Sequence, residues 1–123
     1  MHKILYIEDE LLMQNIVDKI LTREGYFVDV ASNGKEAMEK LIASNFDYKL
    51  VITDIMMPYA NGFEILSKIR TQNTFAKIPV IVVSSVGNED SILEAFKLGA
   101  DDFLKKPIMA GELLIRVKRL IGQ

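Results

Sequence analysis

Leu50-Val51-Ile52-Thr53-Asp54 is an apolar run that ends in a carboxylate, with Pro58 following soon after. Three apolar residues without polar interruption predict a strand covered on both faces, as in the middle of a parallel sheet. Such a strand needs neighbours, and apolar runs of strand length recur on both sides of it, separated by segments of helical period. Upstream, Ile4 to Ile7 precedes Met13, Ile16, Val17, Ile20 and Leu21. Gly25 stands at a helix stop, and Phe27 to Ala31 precedes Ala37, Met38, Leu41 and Ile42. Downstream, Phe63, Leu66 and Ile69 mark a helix, Val80 to Val83 a strand, Ile92, Ala95 and Phe96 a helix ending near Gly99, and Phe103-Leu104 a short strand. Leu113, Leu114, Val117, Leu120 and Ile121 form the last stripe. Five strand-then-helix units predict a doubly wound α/β fold, its five-stranded parallel sheet flanked by helices on both faces through right-handed crossovers. With no repeat, low-complexity tract or linker to divide it, residues 1–123 are expected to form one domain.

Composition narrows the function. Half of the residues are apolar and 26% are charged, which excludes a disordered chain. Fifteen basic and seventeen acidic residues leave a net charge of −2. No overall field therefore draws the chain to nucleic acid or an anionic membrane, and direct binding to either is not expected. The absence of cysteine excludes disulfides and thiolate metal sites and suits a reducing compartment. No apolar run has signal-peptide or membrane-spanning length, so the cytoplasm is the expected location.

In doubly wound sheets, ligands sit beyond the carboxyl ends of the strands. The first run ends in Glu8-Asp9-Glu10, the third in Asp54, the fourth in Ser84-Ser85 and the fifth in Lys105-Lys106-Pro107. Glu8, Asp9 and Asp54 would repel one another at one rim unless a cation intervened. Mg²⁺, commonly held by one or two carboxylates, waters and phosphate oxygens, is the natural one. Lys106 can face phosphoryl oxygens as a point charge, and the Ser84 hydroxyl can donate to one of them. That set suits phosphoryl transfer, with Asp54 as nucleophile forming an acyl phosphate. Each residue has a plainer reading: Asp9 or Glu10 as helix N-terminal acids, Asp54 as a turn cap, Ser84 as a partner of loop backbone, and Lys105-Lys106 as a solvated pair. The coincidence of four strand ends favours one chemistry.

Ile-Glu-Asp-Glu at 7–10, Thr-Asp-Ile-Met-Met-Pro at 53–58 with Gly62 following, Pro-Val-Ile-Val-Val-Ser at 79–84 and Gly-Ala-Asp-Asp-Phe-Leu-Lys-Lys-Pro at 99–107 together resemble the response-regulator receiver family over the whole chain. The resemblance implies the flavodoxin-like strand order 2-1-3-4-5. It also implies Asp54 as the acceptor of a phosphoryl group from a sensor histidine kinase or phosphotransfer protein. Asp9 would be a direct Mg²⁺ ligand, Glu8 would act mainly through water, and Met56 would offer its backbone carbonyl. Lys106 matches the family's lysine, with a cis bond to Pro107, and Pro58 and Gly62 match its turn positions. Ser84 and Phe103 occupy the switch positions, which alter partner affinity on the face formed by the fourth helix, fifth strand and fifth helix. Phosphorylation adds charge and acceptor oxygens that can draw Ser84 inward. Phenylalanine lacks the hydroxyl of the more usual tyrosine, so packing must couple Phe103 to Ser84, unless Phe103 is simply a core aromatic.

Some positions depart from the family pattern. Tyr59-Ala60-Asn61 replaces a glycine-containing turn, and the segment 71–77 looks long. Met56 and Val86 are apolar where family members tune water access, so slow self-dephosphorylation is expected. Three other functions fit less well. A flavin mononucleotide carrier would need small residues where Glu8-Asp9-Glu10 stands, since bare acids repel phosphate. A metabolite phosphatase would need a second acid at Met56. An unphosphorylated receiver-like docking module, the remaining alternative, would be expected to have lost the acids, the acceptor or the lysine. The chain is thus read as modifying only itself, not as an enzyme, with any output carried by a downstream domain or protein outside residues 1–123.

Overall fold

The computed structural model describes residues 2–44, 47–55, 62–71, 77–85 and 87–122. Among them, strands and helices alternate as β1 (Lys3–Ile7), α1 (Leu11–Arg23), β2 (Phe27–Ala31), α2 (Gly34–Ala43), β3 (Leu50–Asp54), α3 (Gly62–Thr71), β4 (Val80–Ser84), α4 (Glu89–Lys97), β5 (Asp102–Lys105) and α5 (Ala110–Ile121). All strand pairs are parallel, in the order β2-β1-β3-β4-β5. The strand order expected from the resemblance is therefore the one observed. β3 and β4 are buried at every position, as their uninterrupted apolar runs require, whereas the edge strand β2 is buried only at Ala31.

Alternation along the strands splits the apolar residues between two cores. Leu5, Ile7, Val51, Val80 and Val82 face a layer made by α2, α3 and α4. Ile4, Tyr6, Leu50, Ile52, Ile81 and Val83 face α1 and α5, which contribute Val17, Leu21, Leu113 and Val117. Helices lying on a sheet bury a narrower stripe than their apolar period marks out. Ile16, Ile42 and Phe96, counted in the apolar stripes of the sequence, remain 40%, 63% and 44% exposed.

Register positions the rim. Ile7 lies level with Thr53, Asp54 with Val83, and Ser84 with Lys105. Glu8, Asp54, Ser84 and Lys106 thus emerge from neighbouring strands at one edge of the sheet. The helices are ended by local chemistry. After α1, Gly25 at φ 93° lets its N–H reach the Thr22 carbonyl while the Tyr26 N–H reaches that of Leu21, the paired bonds of a glycine-terminated helix. Asn33 and Asn88 open α2 and α4 by accepting from the Glu36 and Ser91 amides at 2.8 Å.

At the opposite edge of the sheet, Arg70 of α3 ties three segments together. Its guanidinium donates to the carbonyls of Gly99 (3.0 Å) and Ile78 (2.6 Å) and to Asp101 (2.7 Å), whose carboxylate also accepts from the Val80 amide at 2.8 Å. Gly99 has φ 105°, and a Cβ there would stand 2.9 Å from Arg70 Nε. Backbone conformation and space both require glycine. Gly99→Ala should therefore lower the unfolding free energy by about 2 kcal/mol, read as an earlier urea midpoint at unchanged slope.

Candidate functional site

Each candidate side chain is delivered by the end of a strand. Glu8 follows β1 with its amide bonded to the Ala31 carbonyl at 2.9 Å, Asp54 closes β3, and Ser84 closes β4. Lys106 follows β5, its amide donating to the Ser84 carbonyl at 2.8 Å, and its bond to Pro107 is cis, as expected. Glu8, Asp54 and Ser84 are buried, at 1%, 3% and 0% exposure.

Two buried carboxylates face each other here, and one ammonium holds them. Lys106 Nζ lies 2.5 Å from Asp54 Oδ2 and 3.0 Å from Glu8 Oε1. Glu8 also accepts from the Tyr6 hydroxyl on Oε1 and from the Glu10 amide on Oε2, both at 3.2 Å, while its carbonyl accepts from Gln14 Nε2 at 2.6 Å. Burial pushes the Glu8 carboxyl above its ordinary range, aided by the Asp54 charge and opposed by Lys106 and the Glu10 amide. For Lys106, burial acts downward, but the bonds to Asp54 and Glu8 prevail and raise it, so it remains an ammonium. A simple ion pair would lower the acid. Here the deeper burial of Glu8 decides. Burial, followed by the Glu8 charge, also raises Tyr6 far above an ordinary phenol and leaves it a permanent donor.

Asp9 is exposed beside this pair. Among the described residues no three histidine, cysteine, aspartate or glutamate side chains gather closely enough to ligate one ion. Glu8 and Asp54 are brought together, and Asp9 is placed next to them without joining the cluster. The acids are not consumed by helix capping: Glu10 stands at the N-cap of α1 without a side-chain bond, and the first turn of α1 contains no acid. Two hard anionic groups sharing a cation, beside a free carboxylate, fit Mg²⁺, which needs few protein ligands. Met56 and Pro58 lie outside the described residues, as do Tyr59-Ala60-Asn61 and Val86, while Gly62 opens α3. Phe103 is half-buried on β5 opposite Val82, on the sheet face that Ser84 shares.

Sequence reasoning missed Tyr6 and Gln14. Tyr6 was absorbed into an apolar strand, although a tyrosine two residues before an acid on a strand lies on the same face and can reach it. It also missed Asp102 on β5. This aspartate is 6% exposed and accepts from Arg116 at 2.7 and 2.8 Å and from Arg119 at 2.7 Å. The spacing of the two arginines on α5 was the available signal.

Comparison with known proteins gives consistent results. The family model described as the response regulator receiver domain matches residues 4–118. The chain is 36% identical over 122 residues to the chemotaxis protein CheY1 of Helicobacter pylori, covering 98% of this chain and 97% of that protein. It is 37% identical over 121 residues to the transcriptional regulatory protein CpxR homolog of Haemophilus influenzae, covering 98% of this chain but 51% of that protein. The chain spans about half the length of several of the curated relatives it matches. Its structure resembles the chemotaxis protein CheY4 of Vibrio cholerae with a TM-score of 0.91 at 28% identity, over 98% of both chains.

The shared ammonium generates a direct test. Lys106→Met removes the ammonium that two buried carboxylates share and should cost roughly 3 kcal/mol of stability in metal-free buffer, measured by urea denaturation in the presence of a chelator.

Proposed function

We infer that this chain, which belongs to the response regulator receiver domain family, accepts a phosphoryl group on Asp54 from the phosphohistidine of a sensor kinase or phosphotransfer protein. The observation that carries this reading is the Lys106 ammonium lying between two buried carboxylates at the C-terminal edge of the sheet. A carboxylate so placed is a nucleophile whose product charge already has a partner.

In the transfer, an Asp54 carboxylate oxygen attacks phosphorus, the phosphorus–nitrogen bond to the donor imidazole breaks, and the imidazole leaves with its electron pair and takes up a proton. Lys106 then follows the new charge onto a phosphoryl oxygen, and the Ser84 hydroxyl donates to another. Asp54, Asp9, Glu8 and the Met56 carbonyl would hold Mg²⁺. When bound, the ion would neutralise charge on the carboxylates and on the oxygens being transferred.

Placement supports a switch. Ser84 ends β4 and Phe103 lies across from Val82 on β5, so an inward pull on Ser84 opens space on the face toward which Phe103 packs. The surface of α4, β5 and α5 would then change its affinity for an output domain or protein. Residues 1–123 act as one receiver unit in this reading.

Incubation with acetyl phosphate should add the mass of one phosphoryl group to wild type in Mg²⁺, and none to Asp54→Asn or to wild type with excess chelator, by intact-mass spectrometry. Equal labelling of Asp54→Asn would refute the assignment.

A further inference from the structure

We propose that Tyr6 is a positioning residue of the phosphoryl site: its buried hydroxyl keeps Glu8 in place when Lys106 releases it, easing entry of a divalent cation beside Asp54. The inference rests on the reading of Asp54 and the acidic pair given above. Tyr6 is 0% exposed and packs with Ile4, Val17, Leu50 and Ile52 in the core beneath α1 and α5. A phenol hydroxyl in such surroundings is costly unless bonded. Its partner is Glu8 Oε1, 3.2 Å away. The hydroxyl therefore enters the site from within the protein, where water does not compete for the same oxygen.

Glu8 Oε1 has a second donor, Lys106 Nζ at 3.0 Å, and that ammonium is shared with Asp54. The donors differ in freedom. Tyr6 and the Glu10 amide are fixed by strand and helix start, whereas Lys106 carries its charge on a flexible stem that is 20% exposed. A cation or a phosphoryl group beside Asp54 competes for the space and charge of that ammonium. When Lys106 leaves Oε1, Tyr6 still serves that oxygen and the Glu10 amide serves the other. Without the hydroxyl, the departure would strand a carboxylate oxygen that is almost wholly buried, and such a loss is expensive. Glu8 would then grip Lys106 more tightly, and the entering cation would face a stronger competitor. Removing the hydroxyl should weaken cation binding, although Tyr6 lies on the core side of the strand. Gln14, holding the Glu8 carbonyl at 2.6 Å, keeps the backbone fixed while these exchanges occur.

The test is Tyr6→Phe in the full chain, with Mn²⁺ as the probe and free Mn²⁺ followed by electron paramagnetic resonance. The dissociation constant should rise about tenfold, the usual effect of losing an outer partner of a metal-facing ligand. The Mg²⁺ concentration giving half-maximal labelling by acetyl phosphate should rise in parallel, while the maximal rate stays within about twofold of wild type. A lower melting temperature with unchanged Mn²⁺ affinity would show a packing role only and overturn the proposal. Glu8→Gln separates the two levels of inference. If wild type binds Mn²⁺ and Glu8→Gln weakens it while Tyr6→Phe does not, the role of Tyr6 falls and the site reading stands. Absence of saturable Mn²⁺ binding by wild type would overturn both. Should Tyr6→Phe fail to fold, wild type labelled with ¹³Cζ-tyrosine gives the same answer: the Tyr6 resonance should shift with Mg²⁺ occupancy, and an unmoved resonance would overturn the proposal.

Discussion

One ammonium between two buried carboxylates is the interaction on which the site depends. Glu8 and Asp54 are brought together by neighbouring strands whose registers are fixed by the two cores, so they cannot move apart to relieve repulsion. Leaving both ionised without that ammonium would take away a large share of a small domain's stability. Lys106, delivered by β5 from the far side of β4, supplies the missing charge. The site's cation sits on a flexible side chain that is 20% exposed, whereas the two carboxylates are buried.

The two ends of the sheet are occupied by different chemistry. At the rim, strand ends run directly into Glu8, Asp54, Ser84 and Lys106, and the side chains of Glu8, Asp54 and Lys106 bond to one another. At the opposite edge, Arg70 binds the Gly99 and Ile78 carbonyls together with Asp101. The α5 side of β5 is similarly secured by Asp102 with Arg116 and Arg119, whose first guanidinium is raised chiefly by its bonds to Asp102.

Much of this was legible in the sequence, for identifiable reasons. β2 and β3 match the reading of the sequence: Ser32-Asn33 marks the polar change after Ala31, and the run Leu50-Val51-Ile52 continues through Thr53 into the buried Asp54. β4 runs one residue further than its apolar stretch because a buried serine can continue a strand as well as a valine. The rim residues were legible because polar groups at strand ends are conspicuous. The donors that support them were not. Tyr6 reads as a strand former and Gln14 as a helix surface residue, and only the folded structure shows both converging on Glu8. The separate use of Asp101 and Asp102 was hidden for the same reason: Asp101, just before β5, meets Arg70 and the Val80 amide, while Asp102, on β5, meets Arg116 and Arg119.

The sequence separation inside the site has a consequence for how the protein comes to exist. Lys106 and Glu8 are 98 positions apart, and Lys106 and Asp54 are 52 apart. Contacts of such range form late, after local helices and the first strand pairings. During synthesis, Asp54 is therefore left without its ammonium until the chain has grown past residue 106 and β5 has docked. The bridged pair is therefore completed only once β5 and the lysine that follows it have joined the strands that carry Glu8 and Asp54.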